Sequence, residues 1–407
     1  MGGRGYDVVV VGAGPSGTTA ARQCALKGLK TLLIEKKEFP RYKPCAGAVS
    51  QWGLSHLDFD VPEEIVEQEC FGSRVFFKGR FAEASKPSRV GILVSRKTFD
   101  AFLLDKAEEA DTEVFLSTEA RDFHIEPHHV DVLTDRGSFQ ARCLVIAEGA
   151  LGRMARKIRG PYGQDGAAMA MVTEVESSQN EVDKRTGGKI QLHFDVAHGG
   201  YGWIFPHRGY YSVGVGGSRG RMGNPRELLR GFMSRHGFQG GQKLHGHLLP
   251  VGGIRRKVVN HRVVLVGDAA GFVDAFSGEG IGYAILSGKL AAETIWDALR
   301  QGTASRIDLA GFQGRCDRHF GARLRYAKYL ARILHSLPAV FLRTVATYPE
   351  VVDRLLDLAV WKISYRQFLI GFLARMPAYL AQRGSERLMS GDREIPQSQG
   401  NHPVLEK

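Results

Sequence analysis

The sequence predicts an α/β fold in which a parallel sheet carries an inserted mixed β-sheet and a C-terminal helical portion. A short apolar run at residues 6–11 leads directly into a GxGxxG turn. Two more strand-like runs, the apolar residues 143–147 and residues 262–266, which are apolar after Arg262, are each followed by a glycine beside an acidic residue. Almost wholly apolar runs of this length are typical of parallel strands buried on both faces. Residues 167–217 alternate as sheet strands do, and residues 309–381 show helical spacing.

The N-terminal segment has the order of a βαβ dinucleotide-binding unit. After the glycine turn, residues 16–26 have the composition of a helix, and an apolar run at residues 31–34 ends at Glu35. The glycines let the backbone approach a pyrophosphate at the helix N-terminus, and Glu35 is placed to accept hydrogen bonds from a ribose hydroxyl. The alternative is a glycine-rich turn without a ligand. The residues expected to contact the nucleotide are Gly12, Gly14, Ser16, Gly17, Glu35 and Lys36.

Composition and charge narrow the function classes. The chain has 407 residues, enough for two or three domains, and a formal net charge of +12. The charges are scattered and no nucleic-acid motif is present, so an anionic membrane or a lipid phosphate is the expected partner, not a nucleic acid. Five widely spaced cysteines form neither a metal-binding pattern nor a disulfide framework, so we expect reduced thiols and no metal.

The sequence also carries information about location. No uncharged apolar run reaches the roughly 18–20 residues that a transmembrane helix requires. Residues 1–5 lead directly into the first strand, which leaves no room for a signal peptide. We therefore expect a cytoplasmic protein, either free or associated with the inner face of a membrane.

Three chain-distant segments are placed to converge on one flavin, so the expected cofactor is FAD. Arg96 opens a predicted helix and is placed to neutralise the pyrophosphate; a surface charge is the alternative. Asp268 follows a buried strand and is placed to hold a ribityl hydroxyl; an ordinary helix N-cap is the alternative. The amides after Gly280 begin a helix, whose positive end stabilises charge on a reduced isoalloxazine ring. The residues expected around this part of the cofactor are Cys45, Ala46, Gly47, Arg96, Ala120, Asp268, Gly278, Gly280, Ile281 and Gly282.

These segments carry a resemblance to known flavoproteins. The glycine turn, Glu148-Gly149 and Gly267-Asp268 together resemble the glutathione-reductase-type flavoproteins of the p-hydroxybenzoate hydroxylase branch. The finer resemblance, over about residues 5–300, is to the geranylgeranyl reductase family. It is carried by Cys45-x-Gly47-x-x-Ser50, by Tyr201-x-Trp203-x-Phe205-Pro206 and by the GEGIG segment at residues 278–282. Glu148 departs from the wider branch, which usually carries aspartate there, so we infer no nicotinamide contact from that position.

The resemblance implies an activity. Members of this family bind FAD and saturate isolated trisubstituted double bonds in isoprenoid chains of ether lipids, chlorophyll or tocopherol precursors, or menaquinone. Hydride leaves flavin N5 for one alkene carbon, and the other carbon receives a proton from the other side. An external donor must reduce the flavin, either NADPH or a ferredoxin-type protein. The substrate itself would be an isoprenoid lipid or quinone.

The resemblance also implies site residues. Cys45 would donate the proton or gate the flavin face, although a small buried thiol without an acid role is the alternative. The residues expected to be catalytic are Cys45, Tyr201 and Trp203. Those expected to line the substrate channel are Tyr201, Trp203, Phe205 and Pro206, and their alternative is plain sheet core.

The expected domain organisation is discontinuous. We assign residues 1–70, 96–160 and 253–305 to a glutathione-reductase-type, Rossmann-like FAD-binding domain, and residues 71–95 and 161–252 to a substrate-binding mixed β-sheet. Residues 306–383 are expected to form the helical portion, and residues 384–407 a disordered tail. The helical portion interleaves apolar residues with basic ones, which predicts either a membrane-facing surface or ordinary packing on the FAD domain. Its basic residues are Arg343, Arg354, Lys362, Arg366 and Arg375.

Two other functions remain open at this point. The first is a flavin-dependent monooxygenase or halogenase of the same branch. Halogenases carry a catalytic lysine, for which Lys78 is the nearby candidate. The second is a non-catalytic prenyl-binding escort protein, which the intact flavin segments argue against.

Overall fold

The computed structural model describes residues 5–163, 166–301, 309–336 and 338–390. Its two larger sheets combine strands that are far apart in the chain. Within the described residues the strands are β1 (Gly5–Val11), β2 (Thr31–Ile34), β3 (Ala48–Ser50), β4 (Gln68–Cys70), β5 (Gly72–Phe77), β6 (Arg80–Ser85), β7 (Gly91–Leu93), β8 (Glu113–Phe115), β9 (Ala120–Ile125), β10 (Val130–Thr134), β11 (Gly137–Ile146), β12 (Ala168–Glu176), β13 (Ile190–His193), β14 (Gly200–His207), β15 (Tyr210–Ser218), β16 (His245–Leu249), β17 (Val259–Asn260) and β18 (Val263–Leu265).

The helices lie between and after these strands. They are α1 (Pro15–Leu26), α2 (Gln51–Leu54), α3 (Arg96–Glu108), α4 (Arg153–Arg159), α5 (Gln179–Thr186), α6 (Pro225–Arg235), α7 (Gly267–Ala270), α8 (Ile281–Gln301), α9 (Gly311–Cys316), α10 (Ala322–Ser336), α11 (Pro338–Val345), α12 (Pro349–Ala359) and α13 (Tyr365–Ser390). A π-helical turn at Asp317–Gly321 joins α9 to α10.

The first sheet has eight strands and a parallel centre. Its order is β17-β18-β11-β1-β2-β8; in addition, β10 pairs with β11 and β9 pairs with β10, both antiparallel. Val10 pairs with Leu33 on one side and Val145 on the other, and all three side chains are fully buried. The prediction of buried parallel strands is confirmed. Because β1, β2, β11 and β18 run in the same direction, the residues that follow them meet at one edge of the sheet.

The two long helices of this part pack closely on each other. Helix α1 is rich in alanine and other small residues, and it contacts α8 along its length. A Cβ atom at Gly288 would lie 2.4 Å from the Ser16 carbonyl oxygen, so only glycine lets the two helices approach this far. This contact ties the glycine turn before α1 to the loop that precedes α8.

The second sheet has seven strands in the order β16-β12-β15-β14-β13-β5-β6. Its neighbours are antiparallel except for β13 and β5, which are parallel, so the sheet is mixed as predicted. The apolar run at residues 90–94 was expected in this sheet. Instead it supplies β7, which pairs with β3 and β4 in a separate three-stranded sheet. The fold is therefore α/β with mixed sheets and helices, and the domain boundaries stay a prediction.

The C-terminal helices pack on the second sheet. Phe341, Phe368 and Phe372 lie in one buried cluster with Val75 and Phe77 of β5. Helix α13 continues through Ser390, past the expected start of the disordered tail at residue 384, and residues 391–407 lie outside the described part. Among the described helices, none is long and apolar enough to cross a membrane.

Candidate active site

A cavity of about 990 Å³ lies at the carboxyl edge of the first sheet and extends over the second. This volume is at the upper end of the range of about 300–1,000 Å³ that is usual for ligand pockets. Most of the residues predicted to form the site line it. They are Gly12, Gly14, Ser16, Glu35, Lys36, Cys45, Ala46, Arg96, Ala120, Tyr201, Trp203, Phe205, Asp268, Gly278, Gly280 and Ile281.

Four predicted residues do not line the cavity. A Cβ atom at Gly17 would lie 1.8 Å from the Gly12 carbonyl oxygen, and one at Gly47 would lie 2.3 Å from another backbone carbonyl. Gly282 is equally confined, because its Cβ would lie 2.7 Å from a tryptophan ring. These glycines allow close packing behind the site. Pro206 lies out of phase with the three aromatic residues of β14, so its side chain faces the opposite side of the sheet.

The glycine turn leaves an open cradle above the start of α1. Gly12 has a φ of +103°, and its Cβ would lie 2.5 Å from the Ala147 carbonyl oxygen. Gly14 is different, because a Cβ there would meet nothing closer than Arg41 Nη2 at 3.9 Å. Glu35 is buried at the end of β2, where Oε2 accepts a hydrogen bond of 2.9 Å from the Ala13 amide. Bare backbone at a helix N-terminus and a carboxylate beside it fit a dinucleotide.

Arg96 lies farther along the cavity and is held by a carboxylate. Its Nε and Nη2 donate to the two oxygens of the fully buried Asp100 at 2.7 and 2.8 Å, and Arg41 Nη1 lies 3.0 Å from the same carboxylate. Burial would lower the pKa of Arg96, but Asp100 raises it well above its ordinary value. The nearby Cys45 acts in the same direction as Asp100. The guanidinium is therefore a fixed positive charge beside the thiol of Cys45.

Asp268 lies at the start of α7 and also lines the cavity. Its Oδ2 is 3.5 Å from His247 Nε2. Burial alone would raise the pKa of Asp268, but the hydrogen bond from His247 and the positive charges of Lys43 and Arg96 hold it below the ordinary value. The side chain is thus a carboxylate that faces the cavity, which suits an acceptor for cofactor hydroxyl groups.

Two of the motif segments meet directly. The hydroxyl of Ser50, from the Cys45-x-Gly47-x-x-Ser50 segment, donates to Glu279 Oε1, from the GEGIG segment. Both side chains line the cavity. Burial raises the pKa of Glu279 to about 7, although Ser50 and Arg323 act in the opposite direction. The two segments therefore form one structural unit with an ionisable group at its centre.

The GEGIG segment is anchored by Asp274. Its Oδ1 accepts hydrogen bonds from the Phe276 and Ser277 amides, both 2.9 Å, and its Oδ2 accepts one of 2.8 Å from the Tyr365 hydroxyl of α13. The Tyr201 hydroxyl donates to the Ser277 carbonyl oxygen at 2.5 Å. Both the second sheet and the C-terminal helices thus hold this loop in place.

The part of the cavity over the second sheet is apolar, and we call it the apolar arm. Trp203 and Phe205 face it from β14, and Leu356 of α12 belongs to the same buried cluster. The Trp203 ring lies over Gly214, where a Cβ atom would be 2.1 Å from the ring. Its Nε1 donates to Ser212 Oγ at 3.3 Å. A sheet on one side and a helix on the other therefore enclose a space suited to a hydrocarbon chain.

Sequence comparison decides the family. A profile described as FAD dependent oxidoreductase matches residues 7–150. A geranylgeranyl diphosphate reductase from Synechocystis sp. is 30% identical over 386 residues, which cover 89% of this chain and 91% of that protein. The chain belongs to the geranylgeranyl reductase family. It is accordingly an FAD-dependent oxidoreductase, as the motifs indicated.

Solved structures share the fold of this geranylgeranyl reductase family member. A geranylgeranyl bacteriochlorophyll reductase-like protein from Thermoplasma acidophilum has a TM-score of 0.75 at 22% identity, covering 94% of this chain and 100% of that one. A flavin-dependent brominase has a TM-score of 0.66 at 20% identity, covering 88% of this chain and 93% of its own. Reductases and halogenating enzymes thus use one architecture, and the likeness in fold does not separate them.

Several residues of the family member's cavity were missed by the sequence reasoning. Lys43 and His247 face Asp268, and Glu279 pairs with Ser50, yet none of the four was predicted as a site residue. Ser50 ends the Cys45-x-Gly47-x-x-Ser50 motif and Glu279 lies in the GEGIG segment, so these motifs could have indicated both as site residues. Lys43 lies between the glycine turn and Cys45, but His247 belongs to an edge strand without any motif. Its part in the site follows only from the three-dimensional arrangement.

Proposed function

We propose that this protein is an FAD-dependent reductase that saturates isolated C=C bonds of geranylgeranyl or other polyprenyl chains carried by a lipid or quinone. The observation that supports it best is one cavity that joins the glycine cradle to the apolar arm. The cradle suits the nucleotide half of FAD. The apolar arm suits a chain that offers no polar group near its double bonds, which must therefore be held by shape.

The chain's own residues divide between cofactor and substrate in this proposal. Glu35 and the backbone after Gly12 and Gly14 would hold the adenosine and pyrophosphate, and Asp268 would accept from a ribityl hydroxyl. A bound FAD, once reduced by NADPH or a ferredoxin-type donor, supplies a hydride. Trp203 and Phe205 would orient the isoprenoid chain and exclude water from the reacting carbon atoms.

Tyr201 and Cys45 take different parts. The Tyr201 hydroxyl proton is engaged with the Ser277 carbonyl oxygen, and burial raises the pKa of this phenol, so Tyr201 serves as a support for the loop beside the flavin. Cys45 faces the cavity beside Arg96, where it would gate access to the reacting atoms.

A product assay tests the proposal. The purified protein is incubated anaerobically with a geranylgeranyl substrate and chemically reduced flavin, and the product is analysed by mass spectrometry. Saturation adds two hydrogen atoms per double bond. Addition of oxygen or of a halogen under aerobic conditions would instead identify a monooxygenase or a halogenase, and a colourless protein that binds the substrate unchanged would identify a prenyl escort.

The halogenase alternative has the shared fold in its favour. However, Lys78, the candidate catalytic lysine, occupies the turn between β5 and β6 with a φ of +48° and does not line the cavity. Its Nζ lies 5.7 Å from the centre of the Phe77 ring. Lys78 thus has the surroundings of a hairpin residue, which favours the reductase.

We also propose that the protein rests on an anionic membrane through α13. Phe368 and Phe372 of this helix are buried, so packing explains part of its apolar character. Ile370 and Leu373 are nevertheless 57% and 61% exposed, and Arg366 lies on the same outer face. An apolar stripe flanked by basic residues suits a lipid surface, and the net charge of +12 adds long-range attraction.

A further inference from the structure

Glu279 and Ser50 form a contact between segments that are 229 residues apart in the chain. Ser50 ends β3 and caps the short helix α2, where its Oγ accepts from the Gly53 amide at 3.1 Å. Its hydroxyl proton is left for Glu279 Oε1. The serine is therefore fixed from both sides, and it fixes the Glu279 carboxyl group at the wall of the cavity.

Glu279 is surrounded mostly by polar side chains, which are themselves fixed by hydrogen bonds to neighbouring residues. Arg323 of α10, Asp274 and Tyr283 are all close enough to interact with it electrostatically. The Arg323 guanidinium itself donates to backbone carbonyls and lies 4.2 Å from the centre of the Trp361 ring. Burial raises the pKa of Glu279 to about 7, whereas Ser50 and Arg323 lower it and Asp274 raises it. A substantial part of the carboxyl groups is therefore protonated at neutral pH.

Three other acidic side chains of the cavity are placed less well for proton supply. The hydroxyl of Tyr201 is bound to a backbone carbonyl, and burial raises its pKa. Asp268 is held as a carboxylate by His247, Lys43 and Arg96, so it carries no proton to give. Burial also raises the pKa of Glu148, but its Oε2 accepts a hydrogen bond from the Ala155 amide in the first turn of α4.

We propose that Glu279 is the catalytic acid of the reduction, and that Ser50 positions its carboxyl group. The inference rests on the proposed reductase function. Saturation of an alkene consumes one hydride and one proton. The O–H bond of the Glu279 carboxyl breaks, a C–H bond forms at the second alkene carbon, and the carboxylate that remains takes a new proton from water. The hydride is the contribution of the reduced cofactor.

The test is the pH dependence of alkene reduction in the FAD-loaded protein. The wild-type rate should fall as the pH rises above about 7, because the protonated form of Glu279 is then lost. Glu279→Gln should lower the rate by about 10²- to 10⁴-fold, the usual contribution of a general acid, and should remove this limb of the profile. Ser50→Ala should move the limb to higher pH, because a hydrogen bond that favours the carboxylate is lost. Glu148→Gln is the matched control and should keep the limb.

A second measurement does not depend on turnover. In infrared difference spectra, a protonated carboxyl band should disappear with a midpoint near pH 7 in the wild type and in Glu148→Gln, and be absent from Glu279→Gln. Glu279→Asp keeps a carboxyl group and should keep a titrating band, which guards against a folding defect of the glutamine variant. Wild-type spectra without such a band, or an active Glu279→Gln with an unchanged profile, would overturn the role of Glu279. A wild type that saturates no alkene would instead overturn the proposed function.

Discussion

Replacement of Trp203 by alanine gives a direct test of the apolar arm. The side chain is only 6% exposed, its ring covers Gly214, and its Nε1 is bound to Ser212 Oγ. Burying a large apolar side chain is worth roughly 1.5–3 kcal/mol of transfer free energy. If an isoprenoid chain packs on this ring, the variant should bind a long-chain substrate roughly ten- to a hundredfold more weakly.

The assay separates substrate affinity from cofactor occupancy. Titration calorimetry with a geranylgeranyl lipid gives the substrate Kd, and the ratio of flavin to protein absorbance gives FAD occupancy. Trp203→Ala is expected to raise the substrate Kd and to leave FAD occupancy unaltered, because the ring lines the apolar arm and not the glycine cradle.

Ile204→Ala on the same strand is the matched control. Ile204 is fully buried, but it belongs to the cluster on the opposite face of the sheet. Its replacement should cost about 2–5 kcal/mol of stability, as large-to-small changes in cores do, without a change in substrate affinity. Unchanged substrate affinity in Trp203→Ala, or loss of FAD in place of substrate, would refute an isoprenoid channel at this strand.

Three further predictions concern the cofactor, the thiol and the membrane. Asp268→Ala should release most of the bound FAD, measured by absorbance after gel filtration; full occupancy would exclude its contact with the ribityl chain. Cys45→Ala should lower single-turnover flavin oxidation while the substrate Kd stays nearly constant, because a gate at the flavin face acts on the reacting complex and not on substrate binding; an unchanged rate would leave the thiol a packing residue. The double variant Ile370→Ser/Leu373→Ser should lose most sedimentation with anionic vesicles, and added salt should weaken wild-type binding; wild-type binding that is absent or insensitive to salt would leave only the packing explanation.

The parts of the fold that depend on local sequence could be predicted. The run at residues 6–11 is apolar except for Asp7, so a strand buried on both faces was the natural inference, and the structure pairs it on both sides. The alternation of Tyr201, Trp203 and Phe205 likewise determined which side of β14 they share. Pro206 was included in the channel because it completes the motif, although its position in the alternation already placed it on the other face.

The assignment of strands to sheets was less predictable. The run at residues 90–94 has the same character as the strands of the second sheet, but β7 pairs with β3 and β4. Pairing partners are decided by packing among segments distant in the chain, which one strand's composition does not record. The same limit applies to Arg96. Its charge was predicted to lie at the cofactor, but its bidentate ion pair with Asp100 was not predicted.

Asp268 and Glu279 show why the chemistry of the site required the structure. Both are acidic residues in the segment between β18 and α8, and the sequence gives no ground for treating their ionisation differently. Asp268 faces His247 and Lys43, which come from two other parts of the chain and lower its pKa. Burial instead raises the pKa of Glu279 to about 7. A carboxylate that stays charged suits a permanent acceptor for a bound cofactor, and a carboxyl group that titrates near neutrality suits proton transfer. His247 of the second sheet, Lys43 and Arg96 outweigh the burial of Asp268, whereas Ser50 and Arg323 do not outweigh the burial of Glu279. The difference between a binding carboxylate and a proton-supplying carboxyl group therefore arises only when distant segments of the chain fold onto the nucleotide-binding unit.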